Sequence, residues 1–342
     1  MEILAQENQN YKKVDQEFLK NIQNRKFRIS TRDSALALSQ VYEVIELLVN
    51  VKELGLNKDN FEVVPVKNAE GDQNLKDPLY KMGGQGVFTK QIEDEILNKN
   101  CDIAVHSLKD LPTIVHQDLI VAAVPKLQYR DDVIIFKNLK QGKLEDLKEG
   151  AMIGTSSLRR ITNLKNRYPS FKFQNIRGNL QKRFQKLQEQ DYDAMVLAKA
   201  GLDRLNLNDK IGCVLEAKEF LYAPSQGALG VQCRKEDQQL FRMLQFIQDD
   251  YARIRTDMER QFLNKLEGGC KLPIATYTEI QGDQMLIIGQ VWNMDGSKTV
   301  REEITGSIAD RELGLKLSNK MKEKGAYQIL QEIIKQMEDE QK

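Results

Sequence analysis

Met152-Ile153-Gly154-Thr155-Ser156-Ser157-Leu158-Arg159-Arg160 carries an apolar strand through three small hydroxyl residues into a helix, whose first turn holds both arginines. A strand that turns directly into a helix is the repeating unit of an α/β sheet. The free N–H groups of a helix N-terminus attract anions, whereas cations there are disfavoured by a few tenths to about 1 kcal/mol. Arg159 and Arg160 therefore conflict with their own helix, and an anionic ligand would remove the conflict. An ordinary hydroxyl cap with two solvated arginines is the alternative reading.

The same grammar extends in both directions. Short β-branched runs at 27–31, 61–66, 102–107, 119–124 and 133–136 read as strands, and helical periodicity lies between them at 34–54 and 89–98. This pattern predicts a parallel α/β sheet. It restarts after Gly150, with strand candidates at 152–154, 171–176 and 194–198 separated by helices near 157–167 and 179–189. From about Asp250 the order becomes helix (251–266), hairpin-like strands (276–281, 285–292, 299–304), then helices, which is α+β grammar. The expected fold class is thus α/β, in two lobes with a smaller α+β C-terminal domain. The expected bounds are 27–126 with 226–245, 132–222, and 250–342. Residues 1–26 are polar and read as a flexible or helical extension.

Composition narrows the function. A chain of 342 residues exceeds one ordinary core. Lysine and arginine number 51 against 50 acidic residues, so neither a nucleic acid nor an anionic membrane is the expected partner, and any positive patch must be local. Cys101, Cys213, Cys233 and Cys270 are widely spaced, form no Cys-x-x-Cys pair, and have only His106 and His116 for company. That spacing argues against a metal site or a disulfide framework and for a reducing compartment. No apolar run approaches the roughly 20 residues that span a bilayer. Glu2, Glu7, Asp15 and Glu17 suit neither a secretory leader nor an acid-poor transit peptide, leaving the cytoplasm as the default address.

Further cations follow the strands of the second lobe. Arg177-Gly178-Asn179 leaves one strand with Arg183 a helical turn later, and Arg204 follows the next. Loops after successive parallel strands gather at one edge, so Arg159, Arg160, Arg177, Arg183 and Arg204 are candidates for one carboxylate-binding pocket. Five unrelated surface arginines are the alternative. In the first lobe Ser30-Thr31-Arg32-Asp33-Ser34 repeats the strand-to-helix turn, and two cationic strand ends suggest an acidic ligand held in a cleft. Val105-His106-Ser107-Leu108-Lys109-Asp110 runs from an apolar strand into a turn where Asp110 is either an acid/base group or a simple turn residue. Glu267-Gly268-Gly269-Cys270-Lys271 presents a cysteine on a loop after a helix. Lys271 favours its thiolate, and an inert buried thiol is the alternative.

Taken together these runs resemble the ordered motifs of the hydroxymethylbilane synthase (porphobilinogen deaminase) family: Arg28 to Arg32 with Ser34, Gly83-Gly84 with Phe88-Thr89-Lys90, Val105 to Thr113, Gly154 to Arg160, Ile176 to Leu180, Gln226 to Gly230, and Leu266 to Cys270. The likeness runs from about Phe27 to the C-terminal helices. It implies two lobes like those of periplasmic binding proteins and a third domain whose cysteine, here Cys270, carries a dipyrromethane cofactor in thioether linkage. It also implies deamination of porphobilinogen and stepwise condensation of four units before water releases hydroxymethylbilane, in tetrapyrrole (haem) biosynthesis.

By the same resemblance Asp110 is the catalytic residue. Arg32, Ser34, Lys81, Ser107, Lys109, Thr155, Ser156, Ser157, Arg159, Arg160, Arg177, Arg183, Arg204 and Gln226 hold the acetate and propionate groups, and no metal takes part. A monomer is implied. Ala35, Pro224-Ser225 and Gln85 depart from the common family pattern, the last at a frequent lysine. The rivals are a two-lobed binding protein without chemistry and a family member that assembles no cofactor.

Overall fold

The computed structural model describes residues 14–66, 89–266 and 272–339. In chain order the first elements are α1 (Gln16–Gln23), β1 (Phe27–Arg32), α2 (Ala35–Val49), β2 (Phe61–Val66), α3 (Lys90–Leu97), β3 (Ile103–Ser107), β4 (Leu119–Ala123) and β5 (Asp132–Phe136). There follow β6 (Met152–Gly154), α4 (Leu158–Arg167), β7 (Lys172–Gln174), α5 (Leu180–Glu189), β8 (Ala194–Ala198), α6 (Lys199–Arg204), β9 (Cys213–Leu215) and β10 (Leu229–Arg234). The last are α7 (Gln238–Leu244), α8 (Asp250–Lys265), β11 (Ile274–Gln281), β12 (Gln284–Trp292), β13 (Thr299–Ser307), α9 (Leu313–Glu323) and α10 (Ala326–Asp339). They fall into two compact units, one built from 14–66, 89–128 and 228–255, the other from 129–227, 256–266 and 272–339.

The first unit is a five-stranded sheet of order β2-β1-β3-β10-β4. β1 runs parallel to β2 and β3, while β10 is antiparallel to both of its neighbours. The sheet is therefore mixed, not parallel as the strand–helix alternation predicted, because β10 arrives late in the chain from the opposite direction. Phe27, Ile29, Ile103, Val105, Leu229 and Val231 of the sheet close on Val41, Val44 and Leu48 of α2 in one core. Phe18 and Ile22 of α1 are buried in that core as well, so within the N-terminal extension the described helix is packed structure. Asp15 caps it, accepting from Phe18 N at 2.8 Å, which satisfies one of the helix's orphan donors.

The second unit holds a five-stranded sheet of order β7-β6-β8-β5-β9 and an antiparallel three-stranded sheet β11-β12-β13. β7, β6 and β8 are parallel, and β5 is antiparallel to β8 with Asp132 opposite Ala198. Strands buried on both faces are why this sheet reads as uninterrupted apolar runs: Ile134, Ile153 and Val196 face one cluster, Val133, Ile135 and Met195 the other. Leu221, Ala275, Ile288 and Trp292 make a further core against the antiparallel sheet. Gly296, at φ +77, lets the turn after β12 approach α4. A Cβ there would stand 2.7 Å from the carbonyl of Thr162, and Asn166 Nδ2 donates to Gly296 O at 2.8 Å.

Candidate active site

In the second unit β6, β7 and β8 run parallel as neighbours, so their C-terminal ends share one sheet edge. The hydroxyl residues after β6 build the turn there. Thr155 is buried, Ser157 N donates to Thr155 Oγ1 at 3.2 Å, and Ser156 Oγ donates to Ile176 O at 3.0 Å. Ser157 occupies the N-cap of α4 without a side-chain cap bond.

The arginines of the first turn are not solvated. Arg159 and Arg160 are 5% and 9% exposed, and both reach Asp132, the first residue of β5. Arg159 Nη2 lies 2.8 Å from Asp132 Oδ2 and Arg160 Nη2 2.7 Å from Oδ1. Second bonds, from Arg159 Nη1 to Leu221 O at 2.9 Å and from Arg160 Nη1 to Val196 O at 3.1 Å, fix both guanidinium planes. Burial alone would raise the Asp132 carboxyl, but Arg159, Arg160 and a hydrogen bond from Gln226 outweigh it and hold it well below the ordinary carboxylate range. The anion that relieves the helix terminus is in part the chain's own.

Arg177 is buried just beyond β7, its carbonyl accepting from Lys186 Nζ at 3.0 Å. Arg183, in α5, donates from Nε to Gly178 O at 2.7 Å. Arg204, ending α6, donates from Nη2 to Gly227 O at 3.3 Å. Buried Gln226 spends its amide nitrogen on Arg130 O at 2.6 Å and Asp132 Oδ1 at 2.9 Å. The strand ends thus bring Arg159, Arg160, Arg177 and Arg204 to one edge, while Arg183 sits a turn further into its helix.

The first unit repeats the arrangement with β1 and β3. Arg32 ends β1, and Ser34 caps α2, accepting from Ala37 N at 3.2 Å. Ser107 ends β3 and accepts from Gln40 Nε2 at 2.8 Å. A single 3-10 turn, Leu108–Asp110, follows and is pinned by Leu108 N to Ala228 O at 3.0 Å. It leaves Lys109 half-buried and Asp110 exposed. No hydrogen bond or ion pair engages the Asp110 carboxylate among the described residues.

Behind this turn His106 is buried against Gln232 Oε1 at 3.0 Å, and Gln232 Nε2 donates to Glu93 Oε1 at 2.7 Å. Burial pushes the His106 imidazole down to about 4 against the opposing bond from Gln232, so the neutral ring donates from Nε2. Lys81 and Cys270 lie outside the described residues. Among the described residues no group of three or more histidine, cysteine or acidic side chains is placed to hold a metal ion, and no helix is long and apolar enough to cross a membrane. Sequence reasoning missed Asp132 and Gln40, the one at a strand start and the other a polar residue on the inner face of α2.

Residues 27–242 match the family model described as porphobilinogen deaminase, dipyromethane cofactor binding domain, and residues 254–323 that of the porphobilinogen deaminase C-terminal domain. The chain is 40% identical over 316 residues to the porphobilinogen deaminase of a Nostoc species, covering 92% of this chain and 96% of that one. It is 40% identical over 312 residues to that of Synechococcus elongatus, covering 91% and 96%. Among solved structures it is similar to the methionine binding protein MetQ (TM-score 0.41, 10% identity, 68% of this chain and 94% of that one). A second such structure is the Bordetella pertussis BvgS VFT2 domain (TM-score 0.40, 13% identity, 68% and 89%).

Proposed function

The chain belongs to the porphobilinogen deaminase family, and from that premise we propose that it is a hydroxymethylbilane synthase. It condenses four porphobilinogen units head to tail onto a covalently held dipyrromethane and releases hydroxymethylbilane by hydrolysis. The observation that carries this reading is the arginine edge of the second unit. Two buried guanidiniums share one carboxylate, leaving a net positive charge, and Arg160 Nε is buried without an acceptor among the described residues. A buried donor left unmade costs about 1–3 kcal/mol, which an acceptor from a ligand recovers. Dipyrromethane and porphobilinogen are pyrroles bearing acetate and propionate, so their chemistry fits the donors present.

When bound, the dipyrromethane supplies the nucleophilic carbon from which the chain grows. The protein's own residues do the rest. Arg159, Arg160, Arg177, Arg183 and Arg204, with the hydroxyls of Thr155, Ser156 and Ser157, bind and orient side-chain carboxylates. Arg32, Ser34, Ser107 and Lys109 do so at the edge of the first unit, and Lys81 and Gln226 complete the proposed set. Asp110 ends a pinned turn with its carboxylate uncommitted among the described residues, so it stabilises positive charge on a pyrrole nitrogen and moves protons as ammonia leaves. Cys270 is the proposed attachment point. Residues 27–126 with 226–245, and 132–222, form the acid-binding domains, and 250–342 the cofactor-bearing one. The enzyme acts as a cytoplasmic monomer without nucleic acid, membrane or metal.

The test is the denatured intact mass of the protein purified from cells that make porphobilinogen, beside Cys270→Ser. A covalent increment of two linked pyrroles is expected in the first and not in the second. An unmodified first protein overturns the reading, and an increment retained by the variant moves the attachment site.

A further inference from the structure

Asp132 stands where the topology makes it useful. β5 is antiparallel to β8, so its first residue lies at the edge where the parallel strands end and α4 begins. Its oxygens are divided between Arg159 and Arg160, and Gln226 adds a third donor at 2.9 Å. All four residues are at most 9% exposed.

A carboxylate serving stability alone would need only one guanidinium, and a buried ion pair is itself weak evidence of stabilisation. Here a second guanidinium is buried on the same acid. The cluster keeps one net positive charge, and the Nε of Arg160 has no acceptor among the described residues. Each guanidinium is also tied to a carbonyl, of Leu221 or Val196, so neither plane is free to swing once Asp132 holds its other arm.

We propose that Asp132 is the positioning residue of the Arg159–Arg160 pair. It locks the two forks in one orientation and cancels one of their charges, so that the pair receives one ligand carboxylate in a fixed pose. Gln226 acts with it, as the amide that holds the Asp132 carboxylate in place. This inference rests on the reading of the arginine edge as the ligand-binding edge.

Removal of the carboxylate charge separates orientation from attraction. An oriented substrate binds worse to a mobile pair, whereas a small symmetric anion, which needs only charge, binds better to a pair carrying two positive charges. In the cofactor-loaded enzyme, Asp132→Asn is expected to raise KM for porphobilinogen about tenfold with a smaller change in kcat, and to tighten inhibition by inorganic sulfate about tenfold. Asp132→Glu, which keeps the charge, is expected to return the sulfate constant to within about twofold of the parent.

A folded Asp132→Asn enzyme with both constants within about twofold of the parent overturns the proposal, as does a glutamate variant shifted as far as the asparagine one. Should the asparagine variant fail to fold, Gln226→Leu removes one donor and keeps the charge. A KM raised about threefold with an unchanged sulfate constant supports the proposal, and an unchanged KM overturns it. If the parent itself turns over no porphobilinogen, the proposed function has failed. Calorimetric sulfate binding to parent and Asp132→Asn then still decides the inference.

Discussion

Two aspartates of this chain sit at strand ends and do opposite things. Asp132 is buried and saturated by Arg159, Arg160 and Gln226, while Asp110 is exposed at the end of a pinned 3-10 turn with its carboxylate uncommitted among the described residues. Only an uncommitted carboxylate is available to follow charge during a reaction. Asp110→Asn is therefore expected to keep the thermal transition and the covalent mass of the parent while kcat falls by roughly 10²–10⁴, the range for a positioned acid/base group. A kcat within twofold of the parent would remove Asp110 from the chemistry. The arginines were legible in the sequence because cations in the first turn of a helix need an explanation. Asp132 was not, because a parallel reading of β5 puts its first residue at the far edge, and only the antiparallel pairing with β8 brings it to Arg159 and Arg160.

At the scale of elements, most strand positions were readable from β-branched runs, as were the parallel pairings among β1–β3 and β6–β8 and the C-terminal hairpins, but the reversed directions of β5 and β10 were not. β10 and β5 turn both large sheets mixed, and neither β9 nor β10 was among the strands read from the sequence, β10 having valine as its single β-branched residue. The α1 segment read as an extension because its surroundings are polar, yet Phe18 is fully buried and Ile22 nearly so. A buried phenylalanine replaced by alanine loses both transfer energy and packing, so Phe18→Ala is expected to cost about 3–5 kcal/mol in denaturant unfolding. A loss below about 1 kcal/mol would mean that α1 is dispensable to the core. The turn at Gly296 has a different dependence. Its left-handed backbone and the Thr162 carbonyl 2.7 Å from the missing Cβ leave no room for a side chain against α4, the helix of Arg159 and Arg160. Gly296→Ala is expected to cost about 2 kcal/mol or more, read as a lower thermal midpoint, since the strained backbone and the close contact add. An unchanged midpoint would show that the turn can lift away from α4 without loss.

For the whole molecule, acid is the condition that sorts the buried groups, because each titrates with its own sign. Asp132 is held below the ordinary carboxylate value, so its stabilisation is complete above about 3.8 and lost only as pH falls further. Glu259 and Glu93 are raised chiefly by burial, so they favour the folded state on the acid side and give that up as pH rises through their folded values. His106 alone among these groups works against the fold between pH 6.5 and 4: the unfolded chain takes up a proton at an ordinary 6.5, and the buried ring refuses it down to about 4. The unfolded state then binds more protons, and stability falls with pH across that window. At pH 5 the difference amounts to about 2 kcal/mol for this one group. His106→Gln keeps an amide to meet Gln232 and does not titrate, and all other acid terms are common to both proteins. Parent and variant are therefore expected to have similar urea midpoints at pH 7 once the cost of the substitution is subtracted. The parent is expected to lose about 2 kcal/mol more than the variant on going to pH 5. Parallel losses would mean that the ring takes its proton in the folded state, and with it that the hydrogen bond from Nε2 to Gln232 does not fix a neutral imidazole.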